Sequence, residues 1–131
     1  MIYITGRYMF NERELEGLID QAGVFALTNG WQLVIRAEWT IVTPQRPHGL
    51  SYALILQDQK GNRLLGFDNS HAYDDAPPDA PFDHEHPPGM VNRRIRYDFI
   101  SASTLIQDGF ERAATYCESK GEAFDFVEEN P

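Results

Sequence analysis

The stretch Trp31-Gln32-Leu33-Val34-Ile35-Arg36-Ala37-Glu38-Trp39-Thr40-Ile41-Val42-Thr43 decides the fold class. Leu33, Ile35, Ala37, Trp39 and Ile41 alternate with Gln32, Arg36, Glu38 and Thr40, with Val34 and Val42 among the latter. Successive strand side chains point to opposite faces, so this pattern predicts a long antiparallel strand with one wet face. Asn29-Gly30 before it is a tight-turn signal, and Pro44-Gln45-Arg46-Pro47-His48-Gly49 after it is a loop. The reading extends outward in both directions. Tyr52-Ala53-Leu54-Ile55-Leu56 is apolar on both faces and predicts a central strand. Asp58-Gln59-Lys60-Gly61-Asn62 is a hairpin turn, and Arg63–Asp68 returns as its partner. Gly66 in that partner marks a bulge or a close backbone approach. Ile95–Phe99 reads as a further strand, and Trp31 and Trp39 read as core.

Helices bracket these strands. Asn11 offers an N-cap, and Glu14 three residues on completes a capping-box pattern. Leu15, Leu18, Ile19 and Ala22 then share a face, so a helix is predicted over 12–22, closed by Gly23. Near the other end, Ser101 or Ser103 caps a helix with the stripe Ala102, Leu105, Ile106, Phe110, Ala113 and Cys117, and Gly121 stops it. Residues 2–9 alternate weakly, around Tyr3, Ile4, Tyr8 and Met9, as a short strand would. The sum is an α+β fold: an antiparallel meander of four to five strands, the C-terminal helix packed on one face, and a short N-terminal helix.

Length and composition bound the function. The 131 residues suit one domain, 1–131, and 42% hydrophobic with 24% charged residues describes a globular chain. No apolar run reaches the roughly 20 residues that span a bilayer. Met1–Arg7 lacks the character of a signal peptide, so a cytoplasmic location is expected. Cys117 is the lone cysteine, which excludes an internal disulfide and a cysteine zinc motif; its place on the apolar stripe makes it a buried thiol. The net charge of −9 disfavours a generic phosphate-binding surface and favours a basic partner or a divalent cation. Neither a nucleophile elbow nor a Gly-rich phosphate loop occurs.

Three of the four histidines fall between positions 71 and 86. They lie in a 69–94 acidic loop that also holds five of the eight prolines; long irregular segments in small domains are usually functional or disordered. Asp68, Asn69 and His71 close the strand, and Asp83-His84-Glu85-His86 follows. Three readings stand side by side. His71, His84 and His86, with Asp68 and Asn69 orienting one ring, can perform acid–base cleavage of a phosphodiester, because imidazole titrates near neutral pH. Alternatively, His71, His84, His86 and Asp83 are the candidate ligands of a divalent metal. On an extended chain, however, His84 and His86 share one side and Asp83 and Glu85 the other. In the third reading Asp68 and Asn69 simply cap the strand end through bonds to backbone. Arg94 and Arg96 would share a strand face and could grip substrate phosphate, with Tyr97 beside them. Pairing with acids such as Asp98 explains the arginines as well.

Leu64-Leu65-Gly66-Phe67-Asp68-Asn69 followed by a His-x-His resembles the TumE-like family of small prokaryotic toxin–antitoxin proteins. Ile95–Phe99 and then Leu105-Ile106-Gln107-Asp108-Gly109-Phe110 keep that family's order. The resemblance spans about residues 31–118, which makes the first thirty residues an N-terminal extension. It implies a toxin with a cognate antitoxin as partner; joined to the acid–base reading of the histidines, this points to a small histidine-dependent ribonuclease acting on RNA. Glu85 stands where the family often has a basic residue between the histidines. A different class of function fits the charge: a non-catalytic acidic protein whose loop and 122–131 tail engage a basic protein, or a metal-binding regulatory domain.

Overall fold

The computed structural model describes residues 11–128; the strand expected over 2–9 lies outside them. Helix α1 (Glu12–Asp20) is followed by β1 (Gly23–Ala26), β2 (Gln32–Trp39), β3 (Leu50–Gln57), β4 (Arg63–Asp68), β5 (His84–His86), β6 (Ile95–Arg96) and helix α2 (Ala102–Ser119). The six strands form one antiparallel sheet in sequence order. The α+β meander is thus as predicted, with six strands instead of four to five.

The two extra strands are short. β1 pairs with β2 through the Asn29-Gly30 turn, where Gly30 has φ 92° and Asn29 Oδ1 accepts from the Trp31 N–H. Val24, Phe25 and Ala26 in β1 are exposed, so no burial pattern announces it. β5 is the His-x-His itself, so those residues are strand and not loop. β2 stops at Trp39, earlier than its alternation predicts, and Trp39 and Ile41 are solvent-exposed. Trp31 packs on Tyr116, half-buried against the core. The Ile95–Phe99 strand shrinks to two residues, and Tyr97 and Phe99 turn into the core's margin.

One face of the sheet carries the core. Leu33, Ile35, Leu54, Leu56, Leu65 and Phe67 pack there against Leu15 and Leu18 of α1 and Leu105, Ala113 and Cys117 of α2. Gly109 of α2 lies over Leu54: a Cβ at 109 would sit 2.6 Å from both Leu54 Cδ atoms. Gly66 is a close-approach glycine, since a Cβ there would meet Leu54 O at 3.1 Å. The sheet's one register shift falls at Leu56/Gln57 instead.

The helix ends follow from capping. Asn11 Oδ1 accepts from the Glu14 N–H at 3.1 Å, as an N-cap should. The Glu14 carboxylate does not reach back to complete the box; Oε1 accepts from Ser103 N–H at 2.6 Å and ties α1 to the first turn of α2. α1 ends at Asp20, and Gly23 begins β1 rather than closing the helix. Ser101 is the N-cap of α2, accepting from Thr104 N–H. Gly121, φ 70°, follows its C-cap and lets the Glu122 N–H bond back to Cys117 O. The tail then runs beside β1, with Phe126 bridged to Leu27 and Phe124 and Phe126 against Phe110.

Candidate functional site

The opposite sheet face carries the site. Alternation along β4 puts Leu65 and Phe67 into the core and Gly66 and Asp68 on the helix-free face. In the β4–β5 register Asp68 stands across from His84 and Gly66 across from His86. His84, His86 and Asp68 therefore share that face, while Asp83 and Glu85 point to the helix side. Gly66 has no side chain opposite His86, so the ring is free to lean diagonally toward Asp68.

Two imidazole nitrogens and both oxygens of one carboxylate converge. His84 Nε2 is 3.0 Å from Asp68 Oδ1, His86 Nε2 is 3.1 Å from Asp68 Oδ2, and the two Nε2 atoms are 3.1 Å apart. All three residues are buried, His84 completely. Among the described residues, this is the one group of histidine, cysteine or acid side chains with metal-ligating spacing. His84 Nδ1 lies 2.7 Å from Phe82 O. A carbonyl can only accept, so Nδ1 carries the proton and Nε2 is the nitrogen left for chemistry. His86 Nδ1 is buried without a hydrogen-bond partner.

Asp68 is also held from its own strand end. Ser70 N–H and Oγ–H donate to Oδ1 at 3.0 and 2.8 Å. Burial raises the Asp68 pKa, but the adjacent His84 and His86 imidazoles and the Ser70 hydrogen bonds outweigh it and hold the carboxyl well below its usual range. The group is an anion at any physiological pH.

The other predicted residues are placed as follows. Asn69 bonds backbone: its Oδ1 accepts from Tyr52 N–H and its Nδ2 donates to Leu50 O, extending the β3–β4 ladder past Asp68. His71 is exposed and stands outside the three-residue group. Arg96 pairs with Asp98 at 2.7 Å. Arg94 bonds Asp74 through its backbone and reaches the Ala72 carbonyl. Tyr97 O–H donates to Asp108 on α2, away from the histidines, and burial followed by Asp108 raises its pKa. Cys117 is buried, which raises its thiol pKa.

Asp83 belongs to a second buried network. His48 Nε2 lies 2.9 Å from Asp83 Oδ2, and Tyr52 O–H donates to the same oxygen at 2.8 Å. Leu50 N–H donates to His48 Nδ1, so His48 donates to the carboxylate through Nε2. Burial, then the Asp83 charge, drives the Tyr52 pKa up. With the Phe82 N–H bond to Gln45 O, this network fastens β5 to the 44–49 loop. Sequence reasoning missed His48, because nothing in Pro47-His48-Gly49 signals burial. On the outside, Glu85 pairs with Arg112 of α2 at 2.9 Å.

Asp68 and Ser70 line an open concavity of about 830 Å³ on the helix-free face, together with Arg36, Arg63, Ala53 and Ile55. Arg36 and Arg63 went unnoticed as site residues. Arg36 could have been found as the one cation on the wet face of the decisive strand.

This arrangement defines a class: a small α+β meander with a buried two-histidine, one-carboxylate centre at the edge of an open sheet face. The family model for toxin TumE matches residues 5–116, and the chain belongs to that family. The match begins before α1, so the supposed N-terminal extension is part of the family's domain. No curated protein and no solved structure gives a significant match. Membership makes this chain the toxin component of a toxin–antitoxin system, with an antitoxin as its partner. No helix among the described residues is long and apolar enough to cross a membrane.

Proposed function

We propose that this toxin is a histidine-dependent ribonuclease whose chemistry runs at Asp68, His84 and His86. The observation that carries the reading is the convergence of two imidazole nitrogens and one carboxylate within 3.0–3.1 Å, on a face that also bears guanidinium groups. Such a centre can activate an oxygen nucleophile against a phosphodiester, while Arg36 and Arg63 offset the phosphate charge that the acidic chain as a whole repels. Asp68 orients both rings, Phe82 O sets the His84 tautomer, and the Asp83 network holds β5 in register.

The test is expression in a host without the antitoxin. His84→Ala with His86→Ala should abolish growth inhibition and RNA breakdown, while His71→Ala leaves both in place. Full toxicity of the double variant, or growth arrest with intact RNA, would sink the proposal.

A further inference from the structure

We infer that His84 and His86 act as ligands rather than as proton carriers, and that with Asp68 they form a site for one divalent transition-metal ion. The inference rests on the proposed function for its choice of centre, but not on RNA being the substrate.

The first argument is geometric. An ion about 2.1 Å from each donor separates adjacent ligand atoms by about 3.0 Å in an octahedral site and about 3.4 Å in a tetrahedral one. The two Nε2 atoms are 3.1 Å apart and each lies 3.0 or 3.1 Å from its own oxygen of Asp68, Oδ1 for His84 and Oδ2 for His86, so neighbouring donors stand at ligand-edge spacing and one atom from each residue falls within 4.8 Å of the others.

The second argument is proton bookkeeping. With Nδ1–H committed to Phe82 O, a neutral His84 presents a lone pair at Nε2. That lone pair faces a carboxylate oxygen at 3.0 Å and a second Nε2 at 3.1 Å. A neutral His86 has one ring proton, which at Nε2 can relieve its contact with Asp68 or with His84, but the His84 lone pair still faces Asp68 Oδ1, and a cation between these buried atoms relieves every contact at once. A histidine whose far nitrogen donates to a backbone carbonyl is also the arrangement that orients metal-bound imidazole.

The third argument is openness. The protein supplies three ligands, and Asp68 borders the concavity of the open face. Coordination positions on that side are left for water or substrate, as in catalytic rather than structural sites. Two imidazoles and one carboxylate suit Zn²⁺, Mn²⁺ or Fe²⁺, whereas Mg²⁺ and Ca²⁺ prefer all-oxygen shells.

The experiment uses the full chain, stripped with chelator and titrated separately with Zn²⁺, Mn²⁺ and Mg²⁺ by calorimetry. One equivalent of Zn²⁺ or Mn²⁺ should bind, with Mg²⁺ far weaker. Affinity should fall by at least about 100-fold in Asp68→Asn and His84→Ala, and hold in His71→Ala. Co²⁺ added to the unaltered protein should give the visible absorption of nitrogen–oxygen ligation, a readout that no folding defect in a variant can obscure. Absence of stoichiometric binding, unchanged affinity in Asp68→Asn, or a preference for Mg²⁺ would overturn the inference. RNA cleavage by chelator-treated, metal-free protein would overturn the metal site and leave the ribonuclease standing. Stoichiometric binding without any RNA cleavage would do the reverse.

Discussion

Replacing Asp83 by alanine should unfold this protein more readily than any change at the exposed ion pairs. Asp83 Oδ2 accepts from both His48 and Tyr52, and all three side chains are buried. Alanine strips that acceptor from two buried donors, and a buried polar group left unsatisfied costs about 1–3 kcal/mol. The expected loss is therefore about 3–5 kcal/mol, taken from the middle of the summed range. For a domain of this size that is a fall in Tm of about 10–20 °C. Asp83→Asn retains an oxygen that can take both bonds and loses only their charge assistance, so it should cost about 1–3 kcal/mol. The mechanism also predicts coupling. Tyr52→Phe removes one of the two donors, so in the Asp83→Ala background it should relieve an orphaned hydroxyl. The double variant should be at least about 1 kcal/mol more stable than the sum of the single effects. Urea and thermal unfolding of the four proteins measure all of this. A loss below about 1 kcal/mol for Asp83→Ala, or strict additivity with Tyr52→Phe, would refute the account of β5 as a strand pinned by this carboxylate.

Two further outcomes follow from local geometry. Glu14 accepts from Ser103 N–H at the start of α2, which lowers its pKa. A depressed carboxyl stabilises the fold above its unfolded pKa and loses that effect as pH falls through the folded value. Glu14→Gln should thus cost about 0.5–1 kcal/mol at neutral pH, with the two unfolding curves converging below about pH 4; a gap that persists in acid would contradict it. Gly66→Ala should destabilise by about 1–3 kcal/mol, although alanine normally suits a strand better, because its Cβ would press on Leu54 O and on Ile55 Cγ1 at 3.2 Å. An unchanged or raised Tm would show that the close approach is not real.

The helices and the inner strands were legible because their signals are local. Period-two alternation in Gln32–Trp39, the Asp58–Asn62 turn and the Ser101 cap each involve neighbours in the chain. The elements that escaped depend on partners far away. β1 is a strand because β2 offers it a ladder, not because its exposed Val24 and Phe25 say so. Trp39 looked like core on alternation alone, yet it sits at the end of β2 and stays exposed. Arg94, Arg96 and Tyr97 are near the histidines in sequence, but their side chains bond the Ala72 carbonyl, Asp98 and Asp108.

The sequence by itself determined the α+β class, the family and the shared orientation of His84 and His86. Each of these follows from residue type and spacing along an extended or helical backbone. Only the tertiary structure decided which histidines form a site. The β4–β5 register sets Asp68 against His84, a distance in the chain of sixteen positions closed by hydrogen bonds between strands. The same fold leaves His71 in solvent and buries His48, the one histidine outside the 71–86 cluster, against Asp83. Pairing between strands is a non-local choice, made by the whole core at once, and the chemistry of the centre comes from that choice.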